Sequence, residues 1–201
     1  MSEPHDRLRD DSGLAPLIDE HGELSLEPTD AFFERLVVSI IRQQVSMASA
    51  AATRQRLFEA VEMTPEGVLA ADDEALRDAG LSRQKTRYVT NVAQAFADGD
   101  LSKADLASLD DDEIRDRLTA VTGVGEWTAN MQLLFTFGRE DVFPVGDLGV
   151  RQGMEQVYGH DDRAEMTEYA ERWRPYRSYA TLYLWRVEED IVESVGEVVQ
   201  E

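Results

Sequence analysis

Two glycines separated by one residue interrupt a pair of helical segments near the middle of the chain. The segment before them has apolar residues at helical spacing, Ile114, Leu118 and Val121. The segment after them begins near Glu126 and has an apolar side of Ala129, Leu133 and Phe137. Glycine tolerates positive φ, so residues 122–125 can turn sharply and direct backbone N–H groups toward a phosphate oxygen. We therefore predict a helical hairpin over residues 111–137. It either binds a phosphate or serves only to pack the two helices together.

The segment FPVGDLG at residues 143–149 follows this hairpin, and Asp147 comes 20 residues after Trp127. With this spacing, the hairpin and aspartate resemble the helix-hairpin-helix DNA glycosylase superfamily. Three more segments resemble its alkylation-repair branch, the 3-methyladenine DNA glycosylase II group: IIRQQVSMASA (40–50), AGLSRQKTRYV (79–89) and RPYRSYATLYLWR (174–186). Four motifs in order are more specific than any one alone, and the resemblance covers residues 30–186.

The predicted fold is all-α, because apolar residues recur at spacings of three and four along most of the chain and β signals are scarce. The resemblance implies two helical lobes with the active site between them. We expect residues 1–29 to be an N-terminal segment that packs on the helical core and 30–201 to be the glycosylase domain. The first 28 residues show little regular pattern, and residues 1–11 and the last few are expected to be mobile. The predicted helices are 30–44, 47–61, a short one from 65, 73–79, 83–97, 111–121, 126–137, 147–158, 164–173 and 177–195.

The composition excludes several classes of site. The chain of 201 residues has no cysteine, so disulfides, thiolate metal sites and cysteine-ligated iron–sulfur clusters are ruled out. His5, His21 and His160 are scattered, and we expect no catalytic metal. The sequence has no apolar signal core and no run of about 18 apolar residues, so we expect a cytoplasmic protein without a membrane partner.

The net charge is the strongest objection to a DNA-binding function. Acidic residues number 41 and basic residues 20, which gives a formal net charge of −21, whereas DNA-binding domains are usually basic. We interpret the acidity as adaptation to the salty cytoplasm of a halophile, where charges are screened beyond about 3 Å at 1 M salt. The scarcity of lysine, only Lys85 and Lys103, favours this interpretation. The other interpretation is that the protein never meets DNA.

Asp147 has two interpretations. Local sequence favours a helix N-cap, because an aspartate after Pro-Val-Gly at a helix start satisfies backbone N–H groups. The resemblance implies that it is the catalytic carboxylate. Cleavage of an N-glycosidic bond builds positive charge on C1′, which an ionised carboxylate stabilises. An alkylated base is already cationic and leaves without a second acid to protonate it.

Two tryptophans are candidate residues of the base pocket. Trp127 stands where the bifunctional glycosylase and lyase branches carry a lysine, so the resemblance implies base hydrolysis without strand cleavage. Trp127 and Trp185 would stack on a cationic base, a contact worth about 0.5–2 kcal/mol. Both could instead be core aromatic residues, and for Trp185 that interpretation is as well supported as the pocket role. Trp173, Tyr176 and Tyr179 are interpreted as structural.

The remaining candidates are DNA contacts. Flipping a nucleotide leaves a gap in the stack, and the family fills that gap with a side chain near Gln43 and Gln44. We choose Gln44 as this wedge, although a leucine is common there and a polar helix terminus explains both glutamines equally well. Hairpin residues Gly123, Val124 and Gly125 are predicted to bind a phosphate. The resemblance also implies a K⁺ or Na⁺ ion at the carbonyls of Thr119, Val121 and Val124.

Three hypotheses of different classes result. The first is a monofunctional DNA glycosylase of base excision repair that removes alkylated purines such as 3-methyladenine from damaged double-stranded DNA, with no obligate protein partner. The second is a non-catalytic helix-hairpin-helix DNA-binding module. The third is an acidic helical protein that binds other proteins. Specific DNA binding in molar potassium chloride would separate the last two.

Overall fold

The computed structural model describes residues 3–187, and this part of the chain contains α-helices, one short 3-10 helix and no β-strand. The predicted all-α class is therefore confirmed for the described residues. They form two compact units. One unit is Thr29–Gln132, and the other contains the described residues up to Pro28 and from Leu133 onward. Each unit is described separately below.

The first unit, 29–132, contains the helices that carry the hairpin and the two glutamines. They are α3 (Phe32–Arg42), α4 (Met47–Ala60), α5 (Pro65–Ala70), α6 (Asp73–Asp78), α7 (Arg83–Ala97), α8 (Lys103–Ala107), α9 (Asp111–Thr119) and the start of α10 (Glu126–Phe135). Helix α7 packs on α3, α5 and α6, and α4 packs on α3. Phe32 and Phe33 of α3 meet the Phe96 ring edge-on, with ring centroids 4.9 Å and 5.2 Å apart. These contacts form the core of the unit.

Most of these helices begin at a polar side chain that caps them. Ser46 accepts a hydrogen bond from Ser49 N, Thr64 from Gly67 N and Ser82 from Lys85 N. Asp110 and Glu113 form a capping box at the start of α9. Such caps satisfy backbone donors that the helix leaves open. They fix where each helix begins.

The second unit contains both ends of the described chain. Its helices are α1 (Glu3–Leu8), α2 (Leu14–His21), α11 (Leu148–Tyr158), α12 (Arg163–Ala170), the 3-10 helix Glu171–Trp173 and α13 (Arg177–Leu184). Helices α1, α2 and α11 all pack on α13, and α11 also packs on α12. Helix α13 is therefore central to the core of this unit.

The structure corrects the prediction for the N-terminus. The sequence predicts little regular structure before residue 28, and this is wrong for residues 3–21, which form α1 and α2. The expected mobility of residues 1–11, of which 1 and 2 lie outside the described residues, stays a prediction. Leu8, Leu14 and Ile18 are fully buried. These helices are too short to show a clear apolar period, and packing on α13 stabilises them.

The ends of several helices also differ from the prediction. Helix α9 ends at Thr119 and α10 at Phe135, both two residues earlier than predicted. Helix α8 was not expected from the sequence, and residues 171–173 form a 3-10 helix instead of extending α12. Helix α13 ends at Leu184, and the rest of its predicted span, from residue 188, lies outside the described residues.

Candidate functional site

Asp147 is the N-cap of α11, which confirms the capping prediction made from the local sequence. Its backbone is extended, with φ −72° and ψ 136°, and its Oδ1 accepts a hydrogen bond from Val150 N at 3.0 Å. The preceding loop turns twice, through bonds from Val145 N to Phe143 O at 3.0 Å and from Asp147 N to Pro144 O at 2.8 Å. The carboxylate is thus held at a helix N-terminus, where the helix dipole favours a negative charge.

Trp185 supports this carboxylate from the end of α13. Its Nε1 donates a hydrogen bond to Asp147 Oδ1 at 2.8 Å. The indole is only 4% exposed, and it stacks on Phe135 with ring centroids 5.7 Å apart and planes 21° apart. Two donors from different helices therefore meet at one oxygen and restrict the orientation of Asp147. The structure gives Trp185 a supporting position behind the carboxylate, and its role in a base pocket stays a prediction.

Gly153 brings these two helices together, and sequence reasoning missed it. A Cβ atom at this position would lie 2.6 Å from Leu184 O and 3.0 Å from Leu184 Cβ. Only glycine allows α11 to approach the end of α13 this closely. The available signal was a glycine in the middle of a helix, which costs stability unless packing requires it.

A partly buried carboxylate, Asp11, anchors the aromatic residues next to the 143–147 loop. Asp11 Oδ1 accepts hydrogen bonds from Tyr158 OH at 2.7 Å and Gly13 N at 2.9 Å, and Oδ2 accepts one from Trp173 Nε1 at 2.9 Å. Partial burial raises the pKa of Asp11, but these hydrogen bonds together outweigh it and lower the pKa below its ordinary value. The Trp173 ring in turn contacts Phe143 edge-on, with centroids 5.9 Å apart. Trp173 is therefore structural, as predicted.

The two hairpin glycines in the other unit have different surroundings. Gly123 has φ +108°, and a Cβ atom there would lie 2.3 Å from Tyr88 Cγ. Gly125 is exposed, and a Cβ atom there would meet nothing within 4 Å. Val124 is buried at 5% exposure, and its N–H bonds to Val121 O at 3.0 Å. Gly123 is required by the turn, whereas Gly125 leaves open space at the start of α10.

Gln43 and Asn91 hold the hairpin from within the same unit. Gln43 Nε2 donates to Gly123 O at 3.0 Å and to Thr128 Oγ1 at 3.2 Å. Asn91 Nδ2 donates to Thr122 O at 3.1 Å. The sequence predicts that Gln43 contacts DNA, but the structure directs its amide into the protein, where it joins the end of α3 to the hairpin.

Gln44 has an uncommon backbone conformation. It is exposed, and its φ of 58° places it in the left-handed region, which is uncommon for residues other than glycine. The next residue, Val45, is 41% exposed, and Ser46 then caps α4. Backbone strain of this kind often occurs at functional positions. The assignment of Gln44 as the wedge stays a prediction.

The remaining predicted site residues lie at the ends of the hairpin helices. Trp127 is half-buried in the first turn of α10. Thr119 is the last residue of α9, and Val121 O accepts the hydrogen bond from Val124 N. Among residues 3–187, no three histidine or acidic side chains are grouped as a metal site. No helix in the described part of the chain is long and apolar enough to cross a membrane.

Comparison with known proteins identifies the family. The model of the HhH-GPD superfamily of base excision DNA repair proteins matches residues 37–176. The chain belongs to this superfamily. The match contains the glycine hairpin, both glutamines and Asp147, and so confirms the helix-hairpin-helix glycosylase fold predicted from the sequence.

Three relatives show how far the similarity extends. The putative DNA-3-methyladenine glycosylase YfjP of Bacillus subtilis is 29% identical over 87% of this chain and 65% of its own length. The structure of a DNA-3-methyladenine glycosidase from Bacillus halodurans is 34% identical, with a TM-score of 0.81, and covers 96% of this chain and 92% of that one. The Schizosaccharomyces pombe 3-methyladenine DNA glycosylase Mag1, solved with abasic DNA, is 26% identical, with a TM-score of 0.84. The match covers 94% of this chain and 98% of that one. The chain spans less than two thirds of YfjP but nearly the whole of the other two.

Proposed function

We propose that this protein is a monofunctional DNA glycosylase of base excision repair. It would flip an alkylated purine of the 3-methyladenine type out of damaged double-stranded DNA and hydrolyse the N-glycosidic bond. The observation that carries the proposal is Asp147, a carboxylate fixed at the start of α11 by Val150 N and the Trp185 indole, in a member of the HhH-GPD superfamily. Relatives named as 3-methyladenine glycosylases support the substrate class.

The role of Asp147 follows from the charge that the reaction develops. As the bond between C1′ and the base breaks, positive charge accumulates on the sugar, and a fixed carboxylate stabilises it without reorganising. The two hydrogen bonds to Oδ1 hold the group in one orientation, so it can also orient the attacking water. An alkylated purine is cationic before cleavage and leaves as a neutral base. One carboxylate is sufficient for this chemistry.

Hydrolysis without a lyase step is supported by the positions of the two lysines. A lyase would use an amine to form a Schiff base with the sugar. Lys85 Nζ donates to Ile41 O at 2.5 Å, and Lys103 Nζ donates to Thr29 O at 2.8 Å and Asp30 Oδ1 at 2.6 Å. Both amines therefore serve the packing of the 29–132 unit, and Trp127 occupies the position after the hairpin. The product would be an intact strand with an abasic site.

DNA would be bound by the hairpin and the loop after α3. The open space at Gly125 allows a phosphate oxygen to approach the N-terminal backbone of α10, and Gln44 is the wedge. The carbonyls of Thr119, Val121 and Val124 would hold a monovalent cation beside that phosphate. Carbonyl oxygens suit such a cation chemically, and those of Thr119 and Val121 lie at the C-terminal end of α9, where they carry partial negative charge. The cation would supply electrostatic attraction to the phosphate only.

The test is incubation with methylated duplex DNA in concentrated potassium chloride. We expect release of free methylated base, strand breaks only after alkali, and no covalent adduct when borohydride is added. Breakage without alkali, or a trapped adduct, would contradict the monofunctional assignment. If a folded sample binds DNA but releases no base, Asp147 is only a helix cap and the protein is a non-catalytic binding module.

A further inference from the structure

Acidic residues are unevenly distributed along this chain. Asp and Glu make up 41 of its 201 residues, yet none occurs in residues 35–58 or 79–97. A third acid-free stretch, 172–187, lies in the other unit. There Arg174 and Arg177 are ion-paired with Asp141 and Glu171. The first two stretches contain most of α3, α4 as far as Phe58 and all of α7, together with the Gln44 loop.

These helices belong to the 29–132 unit and pack together through α3. Helix α3 contacts both α4 and α7. Arg35 and Arg42 of α3 are seven residues apart and share a face. The pKa of Arg35 is lowered to about 10 by burial and by repulsion from Arg42 and Arg54. Three guanidinium groups therefore lie close together in a protein that is strongly acidic elsewhere.

Two further cations, Arg83 and Arg87, lie on the side of α7 opposite Lys85, whose Nζ donates to Ile41 O of α3. They are one turn apart on the same side of the helix, and both are exposed. Within residues 3–187 neither forms an ion pair or a hydrogen bond. By contrast, Arg77 on the neighbouring helix α6 donates to Asp73 O at 3.1 Å. The guanidinium groups of Arg83 and Arg87 are thus available to an external anion.

Helix α7 also contacts the predicted DNA-binding hairpin. Tyr88 packs against Gly123, and Asn91 donates to Thr122 O. Successive residues on a helix are about 100° apart and Arg87 precedes Tyr88, so the arginine side of α7 adjoins the side that supports the hairpin. A phosphate at the hairpin and phosphates along α7 could belong to one DNA backbone.

We propose that the exposed, acid-free face of α7 that carries Arg83 and Arg87 binds the sugar-phosphate backbone of DNA beside the hairpin, with these two arginines as direct phosphate contacts. This inference rests on the proposed function. Arginine matches phosphate geometry through paired N–H donors, and such short contacts persist where salt screens long-range attraction. The net charge of −21 is then compatible with DNA binding, because the acids are kept out of this surface.

The test is the salt dependence of binding to undamaged and abasic duplex DNA, measured by fluorescence anisotropy at a series of potassium chloride concentrations. The variant is Arg83→Gln with Arg87→Gln. Its control, Arg77→Gln with Lys103→Gln, removes the same charge from other helices of the unit. Each phosphate contact contributes about 0.9 to the slope of log K against log salt, so we expect the slope to fall by about 1.8 in the variant. The control should keep the wild-type slope.

Other outcomes separate this inference from the proposed function. If the wild type binds DNA and the Arg83 and Arg87 variant shows the wild-type salt slope, the assignment of this DNA-binding surface is wrong, while the glycosylase proposal stands. If the salt slope falls equally in the variant and the control, binding depends only on net charge, and the assignment of this surface is again wrong. If the wild type binds neither DNA at any salt concentration, both proposals are overturned. Melting temperatures of all variants confirm that they remain folded.

Discussion

The hairpin and the Asp147 site are built in different ways. The hairpin is a backbone site, in which Gly123 makes the turn, Gly125 leaves space, and Gln43 and Asn91 hold the carbonyls. The Asp147 site is a single side chain whose orientation depends on an indole 38 residues away. If the hairpin binds DNA and Asp147 acts on the sugar, as proposed above, binding and chemistry can be disabled separately. Changes at the hairpin should weaken DNA affinity, whereas changes around Asp147 should slow base release from DNA that is already bound.

The largest expected effect comes from Gly123→Ala. A Cβ atom would lie 2.3 Å from Tyr88 Cγ at a φ of +108°, so the hairpin must deform. We expect a loss of about 2–4 kcal/mol in the free energy of unfolding, together with much weaker DNA binding. Chemical denaturation and anisotropy titration measure the two effects.

Gly125→Ala is the matched comparison, because the added Cβ atom meets nothing within 4 Å. We expect stability to change by less than about 0.5 kcal/mol. DNA affinity should fall about tenfold, or about 1.4 kcal/mol, because the methyl group occupies the space needed by the phosphate. Equal losses of stability in the two variants would show that Gly125 serves only the turn.

Trp185→Phe tests the support of Asp147. Phenylalanine keeps the stacking on Phe135 but loses the hydrogen bond to Oδ1, and a bond to a charged group contributes about 1.5–3 kcal/mol. We expect single-turnover base release to slow by about tenfold or more, with unchanged affinity for DNA. The control is Trp173→Phe, which removes an indole bond to Asp11 and should lower stability without slowing base release. Similar slowing in both variants would contradict a specific role for Trp185.

Asp11→Asn tests the scaffold below the Asp147 loop, and its effect should depend on pH. The folded pKa of Asp11 is lowered, so its ionised form stabilises the protein above the unfolded pKa of about 3.9, and this contribution is lost as pH falls through the folded value. Because the carboxylate is only partly buried, we expect Asp11→Asn to lower the free energy of unfolding by about 1 kcal/mol at pH 7. The difference in free energy of unfolding between this variant and the wild type should disappear in acid. A constant difference from pH 7 to pH 3 would show that ionisation of Asp11 is unimportant.

Gln43→Leu is expected to have the smallest effect. It removes the hydrogen bonds to Gly123 O and Thr128 Oγ1, so the hairpin is held less firmly. DNA affinity should fall about fivefold, or about 1 kcal/mol, while base release at saturating enzyme is unchanged. Gln94→Leu, at the exposed far end of α7, is the control and should bind as the wild type does. Slower base release by saturating Gln43→Leu enzyme would mean that this residue also affects the chemistry.

Local sequence was sufficient where a short-range signal determines the structure. Helix α7 has the predicted bounds because Ser82 caps it and its apolar residues are periodic, and Asp147 caps α11 for the same kind of reason. The family was also identified from the sequence, because four motifs occurred in order.

Features that depend on tertiary contacts could not be predicted. Helices α1 and α2 are stabilised by packing on α13, and the direction of the Gln43 amide depends on a carbonyl 80 residues away. The partner of Trp185 depends on the close approach of α11 and α13 at Gly153. A single sequence shows which residues are polar or aromatic but not which of them meet.

The most direct test compares Asp147→Asn with the wild type, measuring base release and DNA affinity on the same samples. Asparagine caps a helix as well as aspartate does, so folding and affinity should be preserved. Loss of a charge that stabilises the transition state should slow base release by about 100-fold or more. If Asp147→Asn releases methylated base at the wild-type rate, or loses DNA binding together with activity, the separation of chemistry from binding described here is wrong.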